Sequence, residues 1–189
     1  DSDLTVEQLY EKWTDKYFES LSSPSSERTI KSAWNYCSAV YDMRAKDLRA
    51  RHIKGCMEDG TYVVDGKEKH ASPTTKTKIK SLFNLMLDYA LEYELVDKNY
   101  ARTFNLSDDV IKDVKEAKKD HIDFTDEEIK KLWDHLYDTD YVDVILIQCY
   151  SGWRPQELGL IELKNVDLEN WFFIVGMKTD AGKDRLVPI

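Results

Sequence analysis

The sequence predicts a mainly α-helical protein with a small antiparallel β-hairpin or sheet near its carboxyl end. Apolar residues recur at helical spacing through most of the chain. Only seven glycines and four prolines interrupt its 189 residues. After residue 170 the pattern changes to runs of β-branched and aromatic residues. With 42% hydrophobic and 33% charged residues, the composition is that of a folded protein and excludes a disordered or fibrous one.

The first two predicted helices precede residue 43. Residues 5–21 form an amphipathic pattern that begins with a capping box, in which Thr5 and Gln8 each satisfy a backbone N–H of the other. The Ser/Pro break "SSPSS" ends this pattern. A second helical pattern follows, with apolar residues on one face from Ile30 to Tyr41.

The segment from residue 47 to residue 93 predicts two further helices around a turn. A short basic helix is expected at 47–57. The two Asp-Gly steps of "EDGTYVVDGKEKHASP" then predict a loop or small hairpin. The clearest helix covers 74–93, and three lysines crowd its first turns against the helix dipole. These lysines are either a solvated face or a binding surface; they are Lys76, Lys78 and Lys80.

The second half of the chain predicts a separate folding unit. Residues 106–121 are charged and nearly free of aromatic residues, which indicates a linker. Thr125 and Glu128 repeat the capping-box spacing. The apolar run "YVDVILIQCY" is expected to be buried in a second core. "WFFIVGM" and "RLVPI" flank the polar "KTDAGKD", which predicts a hairpin.

Charge and cysteine content limit the function classes. The net charge of −9 disfavours nucleic-acid binding, but residues 44–80 hold 10 basic and 5 acidic side chains, a local surplus of positive charge. Three widely spaced cysteines predict neither a disulfide framework nor a zinc site. No apolar run approaches the ~20 residues of a membrane span, so we expect a cytoplasmic protein without membrane contact.

Arg154 has two interpretations from its neighbours. Gly152 is expected to end one helix and Pro155 to begin the next, which places Arg154 at a helix N-terminus. Backbone N–H groups there favour an anion, and a guanidinium adds a bidentate donor suited to phosphate. The alternative is an ordinary intrahelical ion pair between Arg154 and Glu157.

The order of motifs resembles the tyrosine recombinase, or phage integrase, family. "SGWRPQELGLIELKNVDLEN" followed by a hairpin with "MKTDAGKDRLVPI" is similar to the first part of the family's catalytic domain. "TTKTKIKSLFNLMLDYALEYELVDKNYAR" is similar to the last long helix of its core-binding domain, except that Tyr100 replaces the proline of the usual Asn-Pro-Ala. "DFTDEEIKKLW" resembles the start of the catalytic domain. The resemblance covers residues 26–189.

This resemblance implies site-specific DNA integration and recombination by a mobile element. In the family, a tyrosine attacks a DNA phosphodiester and forms a 3′-phosphotyrosyl intermediate without a metal or nucleotide cofactor. By position, Arg154 corresponds to the first phosphate-binding arginine, and Glu157 would orient its guanidinium. Lys178 corresponds to the lysine that protonates the leaving 5′ oxygen, with Lys183 across the same turn as the alternative. The implied partner is double-stranded DNA, which the full-length protein would pair as a tetramer.

The resemblance also implies a domain organisation. Residues 1–105 would be a helical, SAM-like core-binding domain, 106–121 a linker, and 122–189 the amino-terminal part of an α+β catalytic domain that is truncated here. The two domains would surround the duplex like a C-shaped clamp. The expected DNA-binding residues lie in the basic segment and are Arg44, Arg49, Arg51, Lys54, Lys76, Lys78 and Lys80.

The residues given contain no His-x-x-Arg string, and none of the eleven tyrosines stands where the nucleophile should. We therefore expect this chain to bind DNA but not to cleave it, and its start at Asp1 without methionine suggests a fragment. His121 and His135 are expected to be surface residues. Two alternatives stay open at this point: a non-catalytic DNA-binding regulator derived from an integrase, and a helical protein-interaction module.

Overall fold

The computed structural model describes residues 3–116, 122–176 and 185–188. The chain divides into two compact units, Asp1–Asp120 (unit 1) and His121–Ile189 (unit 2). Both are helical with a small antiparallel sheet, as the sequence predicts. In the described residues no helix has the length and apolar composition that a membrane span requires.

The described residues of unit 1 form five α-helices and one hairpin. The N-terminal capping box of the first helix is formed, since Thr5 Oγ1 accepts the Gln8 N–H at 3.2 Å and Gln8 Oε1 accepts the Thr5 N–H at 3.0 Å. Short 3₁₀ turns cover Asn35–Val40, Ala45–Asp47 and Tyr100–Arg102. The elements are α1 (Val6–Glu19), α2 (Pro24–Trp34), α3 (Ala50–Glu58), β1 (Thr61–Val64), β2 (Lys67–His70), α4 (Pro73–Glu92) and α5 (Asp108–Glu116).

Helix α4 is the centre of the unit 1 core. It packs against α1, α2 and α3, and the centre of its apolar stripe is fully buried, with Ile79, Leu82 and Phe83 at 0% exposure. Burial of several such side chains, each contributing roughly 1.5–3 kcal/mol, is the main stabilising contribution to this unit. Tyr10 of α1 stacks on Trp34 of α2, with ring centroids 4.0 Å apart.

The predicted turn between the basic helix and α4 is a two-residue hairpin. Val64 pairs with Lys67 across Asp65 and Gly66. Both turn residues have positive φ, 51° and 71°, which is the backbone of a type I′ turn and explains the Asp-Gly sequence.

The segment predicted as a linker contains a helix. Helix α5 occupies most of residues 106–116, because Ser107 caps it by accepting the Val110 N–H at 3.3 Å. Two aspartates in its first turn stabilise the helix through their attraction to the positive end of its dipole. Lys112 and Glu116 add an i, i+4 ion pair at 3.7 Å. Local capping and the order of charges thus form a helix in a segment without aromatic residues.

Over residues 122–176 and 185–188, unit 2 has three α-helices and a three-stranded antiparallel sheet in the order β3-β4-β5. The predicted capping box forms at Thr125 and Glu128, and Gly152 ends α7 in the left-handed conformation, with φ 66°. The elements are α6 (Asp126–Asp134), α7 (Val142–Ser151), α8 (Pro155–Leu158), β3 (Val166–Asp167), β4 (Phe172–Val175) and β5 (Arg185–Pro188).

The expectation that "YVDVILIQCY" is buried in a second core is wrong for most of its residues. Only Val142 and Leu146 of this run are buried, whereas Ile147 is 40% and Tyr150 67% exposed. The described part of this unit has too few elements to cover both sides of α7. An open groove of about 580 Å³, lined by Trp133 among others, runs along the uncovered side.

Candidate nucleic-acid interface

Two aromatic rings of unit 1 each bring two cations together. The Lys54 and Lys80 ammonium groups lie 5.0 and 5.2 Å from the Phe104 ring centroid. The Arg49 guanidinium and the Lys98 ammonium lie 4.9 and 5.8 Å from that of Tyr100. These distances fall within the ~6 Å over which a cation is attracted to a ring face. The cations come from α3, α4 and the segment after α4, so the rings organise charges that are distant in sequence.

Asn99 fixes the segment that contains both rings. Its side chain is buried, at 5% exposure. Nδ2 lies 2.9 Å from the Asn84 carbonyl oxygen and 2.8 Å from Asp88 Oδ1, both on α4. Its Oδ1 accepts the Ala101 N–H at 3.0 Å. Arg102 adds an ion pair to Asp88 at 2.6 Å. The asparagine thus anchors the chain to α4 although the proline of the usual motif is absent.

The predicted DNA-binding lysines of α4 do not share one face. Lys76 and Lys80 are four residues apart and therefore neighbours on the helix surface. Lys78 lies about 200° around the helix from each of them, since successive residues turn by about 100°. We define the basic surface by the two rings and the cations that contact them, together with Lys76 as the helix neighbour of Lys80: Arg49, Lys54, Lys76, Lys80, Lys98, Tyr100 and Phe104.

The three arginines predicted to bind DNA differ in their contacts. Arg44 forms ion pairs with Asp47 at 2.9 Å and Asp3 at 3.6 Å, so two carboxylates compensate its charge. Arg49 donates to the carbonyl oxygens of Lys46 and Leu48 at 2.6 and 2.9 Å, which holds its side chain in position without neutralising it. Arg51 is exposed on α3, beside the ring of its neighbour His52.

Sequence reasoning missed Lys98, Tyr100 and Phe104. A signal for them exists in "KNYARTF", where basic and aromatic residues alternate from Lys98 to Phe104. Such interleaving is common where a protein contacts phosphates and bases together. The sequence pattern alone does not show this role, because only packing of the segment onto α4 brings Phe104 next to Lys54 of α3 and Lys80 of α4.

Unit 2 contains a separate candidate site of its own, at Arg154 and Glu157. Arg154 Nη1 donates to Glu157 Oε1 at 3.1 Å, and the Arg154 backbone N–H donates to Glu157 Oε2 at 3.0 Å. The Glu157 side chain is 5% exposed and that of Arg154 is 63% exposed. Helix α8 has only four residues, so its dipole contributes little and the buried carboxylate is the main local influence on the guanidinium.

The Arg154–Glu157 ion pair, which the sequence offered as the alternative to an anion site, is therefore present. It still leaves the Arg154 guanidinium exposed to bind an anion. The hydrogen bond from the Arg154 backbone and the charges of Arg154 and Arg185 hold the pKa of Glu157 below its ordinary value, although burial opposes this shift. Glu157 is thus ionised at neutral pH. Only Nη1 of the guanidinium bonds to this carboxylate, so an exposed side chain with five N–H donors has others for a second acceptor.

Lys178 and Lys183 lie outside the described residues, as does His121. The strands on either side of the lysines do form the predicted hairpin, with Val175 paired to Arg185 and Phe172 to Pro188. His135 is exposed, as expected for a surface residue.

Comparison with known proteins rests on solved structures. No protein-family model matches the chain, and no curated protein sequence matches it. Two structures of the Tn1549 transposon integrase in complex with a circular intermediate DNA match with TM-scores of 0.70 and 18% identity. A third structure of this integrase with such a DNA matches at 0.67 and 19%.

This chain has the fold of a transposon integrase. The match covers 98% of the chain but only 61% of the integrase chains, so the residues given span less than two thirds of their length. The resemblance found from sequence motifs is confirmed in the fold, which extends across both units. Within the integrase fold, the basic surface belongs to unit 1 and the Arg154 site to unit 2.

Proposed function

We propose that the chain is the duplex-binding part of a tyrosine recombinase that integrates and recombines the DNA of a mobile element. The observation that carries this proposal is the basic surface, where four cations converge on Phe104 and Tyr100 in a protein whose net charge is −9. A converging cluster is unexpected on a chain with excess acid unless an anionic partner binds there.

Duplex DNA is the partner that this surface suits. Lysine and arginine side chains on two helices and one loop can contact successive phosphates without reading sequence. The aromatic rings hold these cations in place, which lowers the conformational entropy lost on binding. We expect Lys54, Lys76 and Lys80 to contact phosphates more closely than Lys78 and Arg44.

The Arg154 site would act on one phosphate of the bound DNA. Glu157 holds the guanidinium in one orientation before DNA arrives, so no reorganisation is needed when charge develops on the phosphate oxygens. In the full-length protein a tyrosine would form the 3′-phosphotyrosyl intermediate, and Lys178, or Lys183, would give a proton to the leaving 5′ oxygen. Two DNA sites would be paired by a tetramer.

The test of DNA binding is a fluorescence-anisotropy titration of a labelled duplex between 50 and 300 mM salt. We expect the wild-type affinity to fall steeply with salt, and Lys54→Ala or Lys80→Ala each to reduce the slope of log K against log salt by about 0.9. Lys78→Ala is the matched control on the same helix and should leave the slope unchanged.

Two outcomes would reject this assignment. Absence of salt-dependent binding by the wild-type chain would favour the protein-interaction module instead. Equal effects of Lys78→Ala and Lys80→Ala would mean that overall charge, and not the basic surface, determines binding. A non-catalytic regulator would bind DNA as well as a recombinase does. The two are distinguished only by a strand-cleavage assay of the full-length protein.

A further inference from the structure

Glu157 is shared by two arginines that are far apart in the sequence. Arg154 Nη1 lies 3.1 Å from Glu157 Oε1, and Arg185 Nη2 lies 3.6 Å from Glu157 Oε2. Each guanidinium therefore uses its own carboxylate oxygen. Arg185 is the first residue of β5, and its pairing with Val175 of β4 returns the chain to the Arg154 site.

The three charged groups together have a net charge of +1. The carboxylate is 5% exposed, whereas the Arg154 and Arg185 side chains are 63% and 44% exposed. Two cations thus lie at the surface around one buried anion. The anion reduces their mutual repulsion and keeps them side by side, which is the arrangement that an incoming group with several anionic oxygens requires.

Glu157 holds Arg185 less tightly than it holds Arg154. A separation of 3.6 Å is longer than an N–H···O hydrogen bond, so the contact is an ion pair without a strong directional bond. Arg154, by contrast, donates to Glu157 from both its backbone and its side chain. The Arg185 guanidinium can therefore turn its N–H groups to a ligand without breaking a hydrogen bond to Glu157.

We propose that Arg185 is a second phosphate-binding residue of the Arg154 site, and that both arginines contact the DNA backbone with Glu157 between them. This inference rests on the proposed function. It adds a DNA contact from the second strand of the hairpin, outside the basic surface of unit 1. It also gives "RLVPI" a role in binding besides its role as a β-strand.

The experiment measures duplex affinity between 50 and 300 mM salt for the wild-type chain and its variants. Each phosphate contact contributes about 0.9 to the slope of log K against log salt. Arg185→Ala is expected to lower the slope by about 0.9, as is Arg154→Ala, and the double variant by about 1.8. Arg185→Lys should keep the slope, because it keeps the charge.

Lys164→Ala is the matched control. Lys164 is an exposed cation of the same unit and, like Arg185, is ion-paired to a glutamate, here Glu162 at 2.7 Å. It should not change the slope. Far-UV circular dichroism checks that each variant is folded. If Arg185→Ala does not fold, Arg185→Gln replaces it, because the glutamine amide can still donate to Glu157 while the charge is lost.

The outcomes separate the inference from the function on which it rests. If the wild type binds with salt-dependent affinity but the neutral Arg185 variant has the wild-type slope, Arg185 does not contact phosphate and the inference is overturned. If the neutral Arg185 variant instead loses the same affinity at every salt concentration, the inference is also overturned, because Arg185 would then only position Glu157. If the wild type does not bind duplex DNA, the proposed function itself fails.

Discussion

Replacing Asn99 with alanine is expected to destabilise unit 1 and to disorganise its basic surface. The side chain provides the Ala101 N–H with its acceptor and joins residues 99–104 to α4 through Asn84 and Asp88. The substitution therefore removes two N–H donors, which share three acceptors on Asn84 and Asp88, and one oxygen acceptor, and all four contacts are buried or partly buried.

The magnitude follows from these contacts. A net hydrogen bond contributes about 1 kcal/mol, and one to a charged group somewhat more, so Asn99→Ala should lower the free energy of unfolding by about 3 kcal/mol. Ala101 is fully buried, so water cannot readily replace the lost acceptor of its N–H.

The assay is amide hydrogen exchange of the buried α4 residues, such as Ile79, Leu82 and Met86, which reports on unit 1 alone. Exchange through unfolding should become about 100-fold faster, since every 1.4 kcal/mol corresponds to a factor of ten. Asn105→Ala, at an exposed position of the same segment, should change exchange less than about threefold. Equal exchange in the two variants would refute the anchoring role of Asn99.

Three further predictions concern the phosphate site, the cysteines and a buried tyrosine. In the full-length protein, Arg154→Ala should abolish strand cleavage while duplex affinity falls only by the contribution of one phosphate contact, measured by gel assays; loss of all duplex binding as well would indicate a structural arginine. Cys149 is exposed and Cys37 and Cys56 are buried, so a thiol reagent should label one cysteine of the folded chain and three in urea; rapid native labelling of all three would contradict this packing. Burial raises the pKa of Tyr10 to about 12, so urea-unfolding stability should be fully present below pH ~10 and fall as pH rises toward ~12, because the unfolded chain loses the phenol proton first. This loss of stability should be smaller in Tyr10→Phe. Equal pH dependence in the two proteins would contradict the role of Tyr10.

Local signals in the sequence predict most of the elements. The capping boxes at Thr5 and Thr125 and the glycine that ends α7 depend on residues within one turn of each other. The Asp-Gly hairpin requires only a short stretch with positive φ. Such features are specified by neighbouring residues, so they can be identified without knowledge of the tertiary structure.

The site could be predicted only in part, because its contacts join distant residues. The motif around Arg154 indicates its pairing with Glu157, three residues away. The approach of Arg185 to the same carboxylate depends on β4–β5 pairing. Similarly, the lysine surplus is visible in the composition, but the convergence of Lys54 and Lys80 on Phe104 requires the packing of two helices with the 98–104 segment.

The exposed side of α7 shows the limit of composition as a guide to burial. An apolar run predicts a buried helix only if other elements cover all its faces, and Tyr150 lies on a face that the described part of unit 2 leaves open. Helix α5 shows the converse, since a polar segment becomes helical when Ser107 caps it and its charges are ordered along the helix.

The most direct test of the central claim is an NMR titration of the ¹⁵N-labelled chain with a short duplex at low salt. Shift changes in unit 1 should concentrate on α3, the first half of α4 and residues 98–104. The aromatic groove between α1 and the end of α4, lined by Trp13, Tyr89 and Tyr93, should be unaffected. Shift changes centred on that groove, with the basic surface unperturbed, would contradict the account.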